Sequence, residues 1–553
     1  MIEAENAQAI AVRATTDADR GVAPPPPSSF ADSSYVGSRY ASYVLIVLTI
    51  VYVFNFVDRQ IISILAENIK ADLKVTDADL GILYGTVFAV FYALFGIPLG
   101  RLADVWMRRS MIAVGLTFWS VMTALSGTAK TFGVLLGYRI GVGMGEASAS
   151  PAALSMLSDY FSPKRRATVM AVYSSGVYIG GGVGLAIGGV VLDAWHRWFP
   201  DPALAPFGLK GWQMAFLLVG LPGLLMALWV RTLREPIRGM SEGRYTQDEP
   251  HPFRVIGRES MGVLPVLNFV NLLINKASAK AITTNLLVLT SVIASAWALT
   301  KWLHSPVQWI AMGAGFYCTF TWTQALIIRS PEVFAAIFKN RTVVLVCIAF
   351  PCTSFVAYGS NFFAIPYLLR AHHVSNAQIG TVIGLTAAAG AWMGISLAGI
   401  VADKLKERWE HGRLLVGLVC SVAVIPFAAG VYFSPSLSAV YVFNFFAMFF
   451  SPMFIGPAYS TVNDLVPPHM RGTASAICLL MTTFIGLAMG PFTMGQISTA
   501  YAKSGMAVAP ALRLGVAWGY LMMIVALVLI AVACYTIHRD APRVRSEAAA
   551  AAK

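Results

Sequence analysis

Four ionisable residues fall where an apolar chain has little reason to carry them. Asp58 and Arg59 sit in YVFNFVDRQIISIL, inside an apolar run over about 43–65, and Arg139 and Glu146 sit in YRIGVGMGEASASP, inside a second run. An ionisable side chain near the centre of a bilayer costs roughly 2.5–3.5 kcal/mol on insertion scales, so such residues line a water-filled path or pair with one another. Carboxylates and guanidinium groups in that setting suit the movement of protons, ions or polar solutes. Glu146 follows Arg139 by seven residues, two helical turns, which puts both on one face. Burial and a neighbouring arginine act in opposite directions on a carboxylate's hold on its proton. An Asp58–Arg139 pair with Glu146 nearer the midplane would therefore respond to protons when the arginine moves. The alternatives are a static charge cluster, an orienting or packing role for Arg59, and a direct anion contact for Arg139.

The elements that must hold these residues are membrane-spanning helices. Of 553 residues, 57% are hydrophobic and 12% charged, with a mean hydropathy of +0.67, far from soluble composition. Runs of about 20 mostly apolar residues predict fourteen spans: 41–67, 79–102, 110–128, 132–155, 167–192, 212–231, 284–303, 306–328, 341–369, 377–402, 413–432, 437–462, 472–495 and 512–537. Basic residues cluster in alternate loops, at Arg108 and Arg109, Lys164 to Arg166, Arg231 and Arg234, Lys404 to Arg413, and Arg539 to Arg545. The positive-inside rule then puts both termini and 232–283 in the cytoplasm, in a multi-pass protein of the cell membrane. The +13 net charge follows from that rule and from attraction to anionic lipid, and calls for no nucleic acid.

All six cysteines fall within predicted spans and have no metal-ligand or disulfide spacing; no metal or cofactor is expected. Residues 1–38, with proline throughout 24–27, and the end after Arg539 read as disordered cytoplasmic tails.

The chain repeats itself. LGILYGTVFAVFYALFGIPLGRLAD (80–104) aligns with IGTVIGLTAAAGAWMGISLAGIVAD (379–403) at an offset of 299, placing Gly81 on Gly380 and Asp104 on Asp403. Later, an offset of 306 puts Gly180 on Gly486 and Gly184 on Gly490. Transporter folds contain such repeats, with the substrate site between the halves. Glycines four apart, at Gly176, Gly180, Gly184 and Gly188, predict close helix packing and could serve sliding during rocking.

These residues resemble the major facilitator superfamily. GRLADVWMRR (100–109) is similar to its signature loop, with Val105 and Met107 departing from the pattern; GIVADKLKER (399–408) is a weaker copy, and RIGVGMGEA (139–147) resembles its fourth-helix motif. FNFVDR (54–59) and GEASASPAALSMLSDYFSPKRRA are most similar to the Spinster branch. The resemblance implies an all-α integral membrane fold of two six-helix bundles working by alternating access. Here an extra two-helix insertion would sit between them. The domains become 1–38, 39–236, 237–340 with the inserted hairpin, 341–538 and 539–553; the segment 262–276 is expected at the membrane surface.

The resemblance further implies a gate of Gly100, Asp104, Arg108 and Arg109, with weaker counterparts Asp403 and Arg408, although the positive-inside rule alone would place arginines there. Proton coupling is expected at Asp58, Glu146, Arg139 and Arg59. The second half carries almost no intramembrane charge, and its candidate cavity residues are Tyr358, Asn361, Phe362, Trp392, Asn444, Thr482 and Thr483, each of which could instead serve interhelical packing. Charge in one half and apolar surface in the other suits an amphiphile, a lysolipid or sphingoid by the Spinster resemblance; a small organic or aromatic acid is the alternative. A non-transporting sensor or scaffold would need neither gate motif nor membrane carboxylates. The protein is expected to be monomeric.

Enzymatic signatures fail on context. GMSEG (239–243) matches a nucleophile elbow but lies in a charged loop without the strand-turn-helix setting. His372 and His373 read as a solvated loop pair. No Gly-Lys dipeptide exists for a phosphate loop, and no His-Glu-x-x-His for zinc.

Overall fold

The computed structural model describes residues 30–31, 35–242, 250–264, 267–274, 277–329, 331–372, 374–467 and 470–551. His373, Gly243, residues 1–29, and 265–266 and 275–276 of the 262–276 segment lie outside them. Ser38 opens α1 (Arg39–Leu73) by accepting from the Ala41 amide at 3.2 Å, and Lys74, left-handed at φ 53°, ends it. A Thr76–Asp79 capping box opens α2 (Asp77–Val105), which passes through a π turn at Ile82–Thr86. The first bundle continues with α3 (Arg108–Ser126), α4 (Phe132–Glu146), α5 (Ala149–Tyr160), α6 (Pro163–Trp198) and α7 (Gly211–Arg231). The insertion holds α8 (Pro252–Val263), α9 (Leu267–Ile274), α10 (Ala279–Leu303), α11 (Pro306–Arg329) and α12 (Pro331–Phe338). The second bundle comprises α13 (Arg341–His372), α14 (Asn376–Arg408), α15 (Gly412–Phe433), α16 (Leu437–Phe450), α17 (Ile455–Asp464), α18 (Thr473–Lys503, with a π turn at Thr482–Ala488), α19 (Val508–Gly519) and α20 (Leu521–Ala551).

Among the described residues eleven helices are long and apolar enough to cross a membrane, and each coincides with a predicted span. The other three predicted spans hold α3, the pair α4 and α5, and α11, which fall below that measure, so the count of fourteen is not established. The span 132–155 is two helices for a local reason. Pro151 has no amide hydrogen to give the Ala147 carbonyl, so the chain breaks after Glu146 and restarts at Ala149. Pro457 stands at the equivalent place in the break between α16 and α17. Beyond Arg539 the chain is helical through Ala551, where the sequence predicts a disordered tail. At the other end, Phe30–Ala31 pairs in parallel with Glu235–Pro236. In α9 the exposed face is apolar (Leu267, Val270, Leu273, Ile274), while Asn268 and Asn271 are buried; Asn268 bonds Asn285 and Tyr317 of the hairpin at 3.0 and 3.1 Å.

The bundles meet along two seams, α6 with α14 and α2 with α18. Hydrogen bonds that join them cluster at the end remote from the termini: Ser63 to the Phe362 carbonyl, Asp193 with Asn376 and the Ala377 amide, and Ser498 and Thr499 with Asp77 and Ala78. That end is closed. Gly176, Gly180, Gly184 and Gly188 do not serve this contact. They pack on Thr49, Val53, Val57 and Ile64 of α1, where a Cβ at Gly184 would approach the Val57 Cα to 2.9 Å. The opposite face of α6 presents Gly182 and Gly189 to Gly384 and Asn376 of α14.

Candidate functional site

Consecutive residues on a helix point about 100° apart, so Asp58 and Arg59 reach different partners. Arg139 Nη1 donates to Asp58 Oδ1 at 2.8 Å, and the Thr123 hydroxyl donates to the other carboxylate oxygen. Arg59 Nε donates to Glu146 Oε2 at 2.6 Å. Two ion pairs thus lie side by side between α1 and α4, with no net charge. Glu146 Oε1, Arg139 Nε and the nearby Asn55 Oδ1 are buried without a partner.

The four side chains differ in exposure: 3% for Asp58, 1% for Arg139, 0% for Glu146, but 17% for Arg59. Arg59 is held among aromatic rings, 4.8 Å from Phe56, 4.5 Å from Phe88 and 4.8 Å from Tyr92, a cation–π setting that orients a guanidinium while leaving its other donors free. Tyr52 stacks on Tyr173 at 4.4 Å, and Tyr84 stacks on Phe362 across the bundles at the same distance.

The second-half candidates scatter. Asn361 and Asn444 line a small cavity within the second bundle, together with Thr353, Ser360, Ser421 and Tyr520. Asn444 Nδ2 also donates to the Ile383 carbonyl and Thr386 hydroxyl, at 3.2 and 2.9 Å. Phe362 is buried against Tyr84, and Tyr358 is half-buried. Thr482 and Thr483 donate to carbonyls of their own helix, Cys478 and Leu479, each at 2.8 Å. Trp392 is outside that cavity, on the surface of α14 and 55% exposed.

The signature loop is split. Arg108 is buried among Glu235, Asp159, Ser155 and the Pro236 carbonyl, and Arg109 donates to the Leu233 carbonyl at 2.7 Å. Asp104 does not join them; it is exposed and pairs with Arg101 at 3.2 Å. Around Gly100 there is open space. In the second copy Arg408 is exposed and takes no part, whereas Arg413 holds Asp403 at 2.8 Å and Asp464 at 2.6 Å.

One cluster has no forerunner among the residues singled out from sequence. At the closed end Arg370 of α13 grips Glu67 at 2.6 and 3.0 Å and Asp77 at 2.7 and 2.9 Å, while Lys70 and Ser498 also hold Asp77. This charged latch ties the bundles. Its members sit at span ends, where topology alone accounts for charge, and the pairing spans 293 and 303 residues.

A sequence model described as the Major Facilitator Superfamily matches residues 48–257 and 346–553. An MFS-type efflux pump of Mycolicibacterium smegmatis is 25% identical over 463 residues, 84% of this chain and 85% of the pump. Protein spinster of Drosophila melanogaster is 22% identical over 494 residues, 86% of this chain and 65% of that protein. The crystal structure of a bacterial homolog to the human lysosomal transporter Spinster, inward-facing and unoccupied, superposes with a TM-score of 0.66 at 25% identity, covering 91% of this chain and 98% of the other.

Proposed function

The chain belongs to the major facilitator superfamily, in its Spinster branch, and on that premise we propose that it is a proton-coupled transporter of an anionic amphiphile. It is a transporter and not an enzyme. The observation that carries the reading is the exposure of Arg59 alone among four buried charges. Arg59 can serve one anion fully at a time, the Glu146 carboxylate or the head group of a substrate. A proton on the unpartnered Glu146 Oε1 releases Arg59 to the substrate, so each ligand favours the other, as binding linkage requires. Asp58 holds Arg139 in place beneath. The second half offers an uncharged, largely apolar wall, which suits a hydrocarbon tail better than a second charged group.

With the termini in the cytoplasm, as the positive-inside rule has it, the closed end faces outward and the protein is inward-facing. The Arg370 latch is then the outer gate, which parts when the bundles rock.

Proteoliposomes test the coupling. Asp58→Asn and Glu146→Gln should abolish proton-driven accumulation while binding or exchange persists, because amides of the same shape do not titrate; accumulation at wild-type rate in both would sink the assignment. Thermal stabilisation by a tail-length series of lysophosphatidates tests the substrate class. Burial stabilises by about 0.8 kcal/mol per methylene, so affinity should climb until the pocket fills. A flat response, with tight binding of a compact tail-free acid, would favour the organic-acid alternative.

A further inference from the structure

The two seams between the bundles are walled differently. Along α2 and α18 the inserted helices lie over the junction. Val90 and Leu94 of α2, Val263 of α8 and Cys318 of α11 form one buried apolar cluster, with Phe484 of α18 packed on it. Nearer the closed end, Trp309 of α11 stands edge-on to Phe492 of α18 at 5.6 Å. Gln308 accepts from Thr86 of α2 and donates to Met489 Sδ of α18, and Gln496 reaches the Leu303 carbonyl at 3.0 Å. The insertion therefore touches both bundles at once. In consequence, no residue in 91–100 of α2 is exposed, and in 474–488 of α18 only Leu479 is.

The α6–α14 seam has no such cover. Gly182, Leu185 and Gly189 meet Gly384, Gly380 and Asn376. Followed toward the termini at helical spacing, the same stripes reach Tyr178, Ser174 and Ala171 on α6, and Ala388, Trp392, Ser396 and Gly399 on α14. Ala171, Ser174, Trp392, Ser396 and Gly399 are all exposed, and a Cβ at Gly399 would meet nothing within 4 Å. Beside them Val172, Met393, Leu397 and Ile400 are exposed as well. A membrane helix that shows two faces at one level turns one to lipid and the other to a gap. The seam is closed at one end and parted at the other, with apolar lips.

We propose that the inserted helices seal the α2–α18 seam against lipid, leaving the parted half of α6–α14 as the passage by which an amphiphile moves between the leaflet and Arg59, with Trp392 at its mouth. This rests on the amphiphilic substrate proposed above. A side passage lets the tail stay in an apolar medium while the head group travels inward, avoiding the exposure of each methylene to water.

The native cysteines are buried, or half-buried at Cys534, so a single added thiol can be modified selectively. Ser174→Cys, Ser396→Cys and Leu479→Cys, each in proteoliposomes with radiolabelled oleoyl lysophosphatidate, would be compared before and after reaction with a pyrenyl maleimide. Modification at 174 or 396 should slow lysophosphatidate transport by about tenfold or more, an added barrier of about 1.4 kcal/mol, and modification at 479 should leave it unchanged. Equal block at 479, or none at 174 and 396, overturns the passage. If the unmodified protein moves a compact organic acid but no lysophosphatidate, the amphiphile reading fails first and the passage with it.

Discussion

Arg108 and Arg413 stand 305 residues apart at the same place in two copies of one loop, and they live in opposite surroundings. Each faces an aspartate from the same relative position, Asp159 and Asp464. Arg108 is buried, and the chain leaving α7 folds back over it, supplying Glu235 and the Pro236 carbonyl as further partners. Arg413 has no such strap among the described residues, because the last helix of the second bundle, α20, runs on through Ala551. Its partner Asp403 has a side chain 69% exposed. The segment that leaves each bundle, and not the repeated residues themselves, decides whether the same ion pair becomes an internal lock or a solvated surface contact.

The contrast can be broken at its strongest point first. Arg108→Ala removes the ion-pair partner of the buried Glu235 and Asp159 and should cost about 3–5 kcal/mol, read from denaturant unfolding in detergent. Adding Glu235→Gln and Asp159→Asn to that variant should recover part of the loss, since the uncompensated charge is then removed; no recovery would mean that Arg108 acts by packing alone. Arg413→Ala should cost about 0–1 kcal/mol, and a loss equal to that at Arg108 would erase the distinction. Arg408→Ala should change nothing measurable beside it.

The smallest effect concerns pH. His411, just before Arg413, lies 3.0 Å from His538 between ring nitrogens. Burial, and then the neighbouring imidazole, hold His411 below the ordinary value of 6.5. A group whose affinity for protons is lowered by folding stabilises the fold above its ordinary value and loses that contribution as pH falls. The apparent Tm should therefore slip on acidification below about pH 6.5, and less so in His411→Asn. Parallel curves for the two proteins would acquit the pair.

Much of the architecture is legible in the sequence because membrane insertion penalises charge and rewards long apolar runs. The two bundles and the four central charges follow from that penalty, whereas the second helix of the inserted hairpin, α11, falls below the measure of a span. The partners Arg59–Glu146 and Asp58–Arg139 are restricted to two helices by scarcity of alternatives. Pairings between charges at span ends are not legible, because nothing local separates Arg370, which ties the bundles, from an ordinary loop arginine. The fixed offset of 299 puts Arg109 on Arg408 and Arg108 on Glu407, so it passes over Arg413, because α14 runs farther past its aspartate than α2 does. Hydropathy sets Trp392 at the level of a central cavity, but it gives only the depth of a residue in the membrane and not the face it occupies.

The glycines of α6 separate two kinds of mutational sensitivity along a single helix. Alanine at Gly180 or Gly184 would press on α1 within one rigid body, in every state of the protein, and would be felt as lost stability. Alanine at Gly182 or Gly189 would press on α14 only while the closed ends of the bundles are together, so it would penalise one conformer and leave the other untouched. Such a substitution acts as a thermodynamic bias on the transport cycle, and adjacent positions on α6 would divide between carriers that fold poorly and carriers that fold well but dwell on the wrong side.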